Sequence, residues 1–133
     1  VNVLTGSDGI IRGAIGGHQD TAAGAAFSIV VAPLTRGRNS SILNHVTTLT
    51  TPGDTVDVVV TDQGIAVNPL RPEIKERMKK AHIPLSTIEE LKEKADKIVG
   101  IAEPLPFDDQ VVGIVTYRDG SILDVIRKIR SDH

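Results

Sequence analysis

Gly16, Gly17, His18, Gln19 and Asp20 follow one another directly, a short distance after a turn built from Ser7, Asp8 and Gly9. Two glycines without Cβ atoms let backbone N–H groups approach a ligand closely. Such groups hold a carbonyl oxygen, a carboxylate or a phosphate, and His18 or Asp20 can orient the substrate there. The small-residue run Thr21–Ala26 can form a helix whose first turn leaves N–H groups facing back toward the glycines. Spacing alone leaves a plainer reading open: a tight strand-to-helix turn with Asp20 as its N-cap. Ser7 and Asp8 place a hydroxyl and a carboxylate at a turn apex, where they can bind substrate or move a proton. Ser-Asp-Gly is also ordinary turn chemistry. Farther along, Arg36, Arg38 and Asn39 can clamp a carboxylate or phosphate bidentately, with His45 on the same rim, or simply form a solvated loop.

Other chemistries lack their residues. The four histidines, His18, His45, His82 and His133, show no metal-ligand spacing, and there is no cysteine, so thiolate sites, disulfides and a cysteine nucleophile are excluded. Dinucleotide, P-loop and hydrolase-elbow fingerprints are missing. No metal is expected in this domain. Lys+Arg number 15 against 17 Asp+Glu, a formal charge of -2, which gives no basic footprint for nucleic acid. Only Phe27, Phe107 and Tyr117 are aromatic, so there is no stacking platform for single strands. No apolar run approaches the roughly 18 residues that span a bilayer, and no signal peptide is visible. These features fit a cytoplasmic protein without membrane or nucleic-acid partners.

The elements that must position these residues follow from local pattern. The 133 residues suit one domain with an aliphatic core. Val1–Thr5 reads as a strand, Gly6–Gly9 as a turn and Ile10–Ile15 as the returning strand. Asp20 or Thr21 caps a short helix reaching Phe27. Ser28–Ala32 is an apolar run of the kind buried on both faces of an α/β sheet, closed by Pro33. Leu34–Ser41 reads as a loop, Val46–Thr51 as a strand, Val56–Thr61 as a buried strand and Gly64–Val67 as a short one. Pro72 opens a helix with Glu73–Arg77 and Glu76–Lys80 pairs. Ser86 with Glu89 forms a capping box for a second helix, whose apolar stripe is Ile88, Leu91, Ala95 and Ile98 and which ends at Gly100. Val111–Tyr117 and Ser121–Ile129 read as a hairpin about Arg118-Asp119-Gly120, although the second arm also fits a helical period. Strands before helices indicate a mixed α/β domain, with ligands on loops such as 6–9 and 16–20. A strand that starts at residue 1 suggests a piece of a longer polypeptide.

Several segments agree, in order, with one family. VNVLTGSDG, GGHQDTAAGA, IVVAPLTRGR, TPGDTVDVVVTDQGIAVNPLRPE and the closing YRDGSILDVI hairpin resemble the C-terminal half of citrate lyase α subunits, which are citrate CoA-transferases. The resemblance covers nearly the whole chain. It implies a CoA-transferase-like mixed sheet flanked by helices, the fold shared with ribose-phosphate isomerase and glucosamine-phosphate deaminase, over residues 1–133. It implies exchange of acetyl for citryl on a carrier-protein thioester, in support of citrate cleavage to acetate and oxaloacetate. The cofactor implied is a phosphopantetheine-type group on a partner acyl carrier protein, or a CoA thioester. The partners implied are citrate, acetate, the acyl carrier (gamma) and lyase (beta) subunits, and the missing N-terminal half of the same chain.

Relatives of the wider family carry a Ser-Glu-Asn-Gly turn whose glutamate forms an acyl-enzyme. LTGSDGII aligned on that turn puts Ser7 at the glutamate and Asp8 at the asparagine. The resemblance therefore implies exchange without a covalent acyl-enzyme, with citrate attacking the thioester through a mixed anhydride. The family's Gly-x-Gly-Gly-x-x-Asp element matches residues 14–20 with Ala14 at its first glycine. Catalytic roles thus fall to Gly16, Gly17, His18, Ser7 and Asp8. Thioester or substrate contacts fall to Gln19, Asp20, Arg36 and Arg38. Asp62 reads as structural. Because such sites lie between two similar halves, this stretch by itself is expected to be inactive. The alternative on the same fold is a non-catalytic domain that binds a small anion or sugar phosphate, or one that docks other subunits.

Overall fold

The computed structural model describes Ile10, Gly13 and residues 15–130. The expected strand Val1–Thr5, the turn with Ser7 and Asp8, and most of the returning strand lie outside the described residues. In chain order the elements are α1 (His18–Gly24), β1 (Ile29–Val31), β2 (Thr35–Arg36), β3 (Asn39–Ser40), a 3-10 turn (Gly53–Thr55), β4 (Val58–Thr61), β5 (Gly64–Val67), α2 (Pro72–Lys80), α3 (Ile88–Val99), β6 (Phe107–Thr116) and β7 (Ile122–Ile129). The mixed α/β composition agrees with the sequence. Packing gathers these elements into two compact units.

One unit holds Ala25–Asn44 and Gly53–Ala102. Its sheet has the order β1-β4-β5, with β1 parallel to β4 and β4 antiparallel to β5. The β4–β5 turn needs Gly64. A Cβ there would stand 2.9 Å from Ser86 Oγ and 3.0 Å from Leu91 Cδ2. The core is Leu34, Ala66, Leu91 and Ala95, flanked by Ile42 and Ile88. Leu91 and Ala95 lie one helical turn apart, so α3 presents one stripe to the sheet. Ile98, expected in that stripe, lies past the last core contact and is exposed. The capping box sits one residue later than expected. Thr87 accepts from the Glu90 N–H, and Glu90 returns a bond to the Thr87 N–H. Ser86 instead continues an extended segment, donating its N–H to Ile65 O. On α2 the ion pairs also shift: Glu76 meets Lys79 at 3.1 Å, and Glu73 meets Arg71 at 3.8 Å.

Two expectations for this unit are corrected. Leu34–Ser41 is not a plain loop, because β2 and β3 form a small antiparallel hairpin. The 28–32 run is not buried on both faces: β1 is an edge strand among the described residues, with Ile29 50% and Val31 75% exposed. Leu34 is tied down by its N–H to Asp62 Oδ1 at 2.7 Å, which gives Asp62 a structural role. That bond, with help from Gln63, holds the Asp62 carboxyl below its ordinary value.

Asp57 is the polar centre of the unit. It is 2% exposed, and its Oδ2 accepts the Ser28 N–H at 2.8 Å. Its Oδ1 accepts Arg71 Nε at 2.6 Å. Its backbone N–H donates to Ser28 O, and its carbonyl accepts the Asn68 N–H.

The second unit contains α1, residues 45–52 and the long β6–β7 hairpin. The second arm of the hairpin is a strand, not a helix: Gly113–Val115 pair with Ile126–Asp124. Val46–Thr51 is not a strand. Asp124 Oδ2 accepts the Leu49 N–H at 2.6 Å, so a carboxylate takes the place of a ladder carbonyl there. Thr48, Thr50 and Thr51 are buried nonetheless.

Two substitutions test this packing. Leu91→Ala empties the fully buried centre and should cost about 2–5 kcal/mol. Asp57→Ala strands the Ser28 N–H and should cost about 2 kcal/mol. Both are read as lowered urea midpoints, and a midpoint unchanged by Asp57→Ala would contradict its central role.

Candidate functional site

The glycine turn lies in the unit with the hairpin. Gly16 adopts φ 58°, in the left-handed region that a side chain disfavours. Among the described residues, a Cβ at Gly16 would meet nothing within 4 Å, and at Gly17 only Thr21 Oγ at 3.7 Å. The backbone of both glycines is therefore open to close approach. Gly17 starts the helix: its carbonyl accepts the Thr21 N–H at 2.9 Å and Thr21 Oγ at 2.6 Å. The expected cap, Asp20 or Thr21, is thus corrected. Asp20 sits inside the first turn, and α1 begins at His18, earlier than expected.

At seven residues, α1 is too short to count on a helix dipole, and it buries no residue. Any hold on an oxygen falls to the glycine N–H groups. His18 and Asp20 are exposed, while Gln19 is half-buried. Gln19 Oε1 is buried and has no hydrogen-bond partner among the described residues.

The sequence candidates divide between the two units and the residues outside the described range. Ser7 and Asp8 lie outside the described residues, as does Ala14. Arg36 and Arg38 belong to the β2–β3 hairpin of the other unit, with Gly37 at φ 60° between them. His45, expected on their rim, groups with the hairpin unit instead. His82 ends α2 in the left-handed conformation, φ 58°, with its N–H on Lys79 O. Among the described residues no three His, Asp or Glu side chains gather in a metal-binding cluster. No described helix is long and apolar enough to cross a membrane.

A cleft of about 360 Å³ opens beside the hairpin, lined by Thr47, Thr48, Phe107 and residues 124–127. It contains none of the sequence candidates. Its carboxylate, Asp124, is already committed to the Leu49 and Val125 N–H groups.

One residue missed in the sequence does reach the glycine turn. Arg118, at the tip of the β6–β7 hairpin, puts Nε 3.7 Å from Asp20 Oδ1. The tip is held firmly. Tyr117 N–H donates to Ser121 O at 2.8 Å, and Gly120 N–H to Tyr117 O at 2.9 Å. Asp119 Oδ1 accepts both the Ser121 Oγ at 2.6 Å and the Ser121 N–H at 2.9 Å. These two bonds hold the Asp119 carboxyl below its ordinary value. The Arg-Asp-Gly signature announced the turn, but nothing in it announced the neighbour that its arginine would meet.

The citrate lyase α-subunit (CitF) family matches residues 1–129. This chain belongs to that family. The citrate lyase α chain of Klebsiella pneumoniae is 53% identical over 131 residues, and that of Escherichia coli K12 is 54% identical over 130. Each comparison covers 98% of this chain and 26% of the relative, so the chain spans about a quarter of the length of these citrate lyase α chains. A crystal structure described as the α subunit of citrate lyase from Streptococcus mutans, in complex with citrate, superposes with a TM-score of 0.93. It is 53% identical and covers 98% of this chain and 26% of its own. This membership agrees with the resemblance read from GGHQDTAAGA and its companion segments.

The Asp119 tip gives a pH test with a definite sign. Its carboxyl is depressed in the fold, so its contribution to the turn is complete above the ordinary Asp value of about 3.9 and is lost as pH falls through the depressed one. Ser121→Ala removes the largest cause. The Asp119 carboxyl resonance should then titrate at higher pH than in the unaltered protein, and an unmoved titration would contradict the assignment.

Proposed function

We propose that this region forms the thioester-oxygen side of an acyl-exchange site in a citrate lyase α subunit, on a CoA-transferase-like fold. The observation that carries this reading is the pair of open glycines, Gly16 and Gly17, in a chain of this family. Open backbone fits a planar thioester carbonyl, which a side chain at either position would crowd. The thioester is a substrate, carried on the phosphopantetheine arm of an acyl carrier protein or on CoA.

In this reading the Gly16 and Gly17 N–H groups hold the carbonyl oxygen as it becomes negative. A citrate carboxylate oxygen attacks the acetyl carbonyl. The C–S bond breaks, leaving citric-acetic anhydride and the carrier thiolate. The thiolate then attacks the citryl carbonyl, forming the citryl thioester and releasing acetate. His18, exposed in the first turn of α1, orients the bound groups. With Ser7 where relatives carry a nucleophilic glutamate, no residue of this chain forms an acyl-enzyme, and the protein contributes position and oxyanion stabilisation. Arg36 and Arg38 remain proposed anion contacts. The citryl thioester passes to a lyase subunit for cleavage to oxaloacetate. The site requires further parts of the polypeptide, so this stretch by itself is expected to show no turnover.

The glycine side of the site is tested in the native polypeptide that carries this sequence, with its subunits present. Gly17→Val and His18→Ala are each followed by acetyl-to-citryl exchange. Gly17→Val keeps its backbone N–H but crowds the oxygen away from it; losing one good oxyanion contact typically lowers kcat about 10²–10³-fold, and Gly17→Val should fall in that range. His18→Ala should cost about tenfold or more. Undiminished exchange in both variants would remove the glycine turn from the mechanism.

A further inference from the structure

We propose that Arg118 is the group that reads a citrate carboxylate at this site, an inference that rests on the exchange reading above. The hairpin tip puts this guanidinium beside the first turn of α1, and a carboxylate, that of Asp20, already stands 3.7 Å from its Nε. At that distance, with Arg118 48% and Asp20 59% exposed, the pair is loose and holds little binding energy. Among the described residues no other acceptor stands on Arg118. The Nη edge of its fork is left for an incoming carboxylate, which it can take bidentately at ordinary charge-assisted distances.

The backbone that carries Arg118 is fixed before any ligand arrives. Tyr117, Gly120 and Ser121 close the turn on both sides of it, and Gly120 takes the φ of 86° that the reversal needs. Of the two neighbouring carboxylates, Asp119 is turned inward onto the Ser121 N–H and hydroxyl, so its charge is spent inside the turn. Among the described residues, Asp20 is the carboxylate that faces Arg118. Asp20 therefore acts as a weak placeholder for the substrate carboxylate: it steadies the guanidinium when the site is empty and yields it when citrate enters. A carboxylate is favoured over the phosphodiester of a pantetheine arm because a carboxylate is the group that the structure already shows beside this guanidinium.

The placeholder makes a prediction that a purely structural ion pair does not share. If Arg118 only tied the hairpin to α1, Arg118→Ala and Asp20→Asn would weaken citrate binding equally. If Arg118 reads citrate, Arg118→Ala weakens it and Asp20→Asn leaves it unchanged or tighter, because a competing charge is gone. The experiment is calorimetric titration of citrate into the native polypeptide carrying each substitution, with acetyl-carrier kinetics measured in parallel. Arg118→Ala should weaken citrate roughly 10- to 100-fold, the range expected when a charged hydrogen-bonding partner is removed. Arg118→Lys should fall between the two, and KM for the acetyl-carrier thioester should change less than about twofold.

The proposal is overturned by an Arg118→Ala protein that binds citrate within twofold of the unaltered one. It is equally overturned by Asp20→Asn weakening citrate as much as Arg118→Ala, by a selective rise in the carrier-thioester KM, or by unaltered protein that binds no citrate. The titration needs no turnover. A failure of the glycine turn as an exchange site, read from Gly17→Val and His18→Ala, is therefore recognised separately.

Discussion

A single buried carboxylate organises the sheet unit. Asp57 receives the first N–H of the β1 region from Ser28, the guanidinium that precedes α2 from Arg71, and a backbone bond from Asn68 through its carbonyl. A buried carboxylate is tolerated only when its oxygens are met, and here both are. The consequence is geometric. The parallel pairing of β1 with β4, the end of β5 and the start of α2 are fixed relative to one another by one residue. Asn68 adds to this by donating its amide to Gly53 O and Val56 O. The apolar core of Leu34, Ala66, Leu91 and Ala95 then fills a frame whose strand directions are already set.

The hairpin unit works differently. Its order comes from tight turns: the Gly16–Gly17 entry into α1, and the Tyr117–Ser121 tip. Each turn offers backbone or side-chain groups outward while satisfying its own polar atoms inward. Thr21 closes on Gly17 O, and Ser121 closes on Asp119. Between them Arg118 and Asp20 face each other as cation and anion. A site assembled this way depends on loop geometry held by short-range bonds, the usual arrangement for groups that must meet a ligand.

The parts of the fold written in local chemistry were legible in the sequence. Pro72 opens α2, Gly100 ends α3, and the Asp62–Gly64 turn links β4 to β5, all near their expected places. The capping box slipped by one residue because Ser86 and Thr87 are both able caps, and pairing of Ser86 with β5 decided between them. Burial was less legible. A run such as Ser28–Ala32 has the composition of a doubly covered strand, but composition does not say which neighbours arrive. The Thr-rich 46–51 segment has strand propensity, yet Asp124, 75 residues from Leu49, supplies the hydrogen bond that a strand partner would have made. The candidate site was half legible. The glycine turn stood out by type and spacing, whereas the neighbour of Arg118, Asp20, was set by the fold. The two arginines that did stand out, Arg36 and Arg38, share a tight hairpin in the other unit.

The exposed edge of β1 has a bearing on how this polypeptide must be handled while it is being made. Ile29, Val30 and Val31 are extended, β-branched and uncharged, and no lysine or proline interrupts them before Pro33. Among the described residues no strand pairs with their outer edge, and flat apolar edges of this kind recruit one another into growing sheets. Until that edge is covered, the ribosome is releasing a template for self-association. Pro33 limits the template to a few residues, and Arg36 and Arg38 follow soon afterwards with positive charge, the kind of flanking punctuation that keeps a sticky segment from propagating.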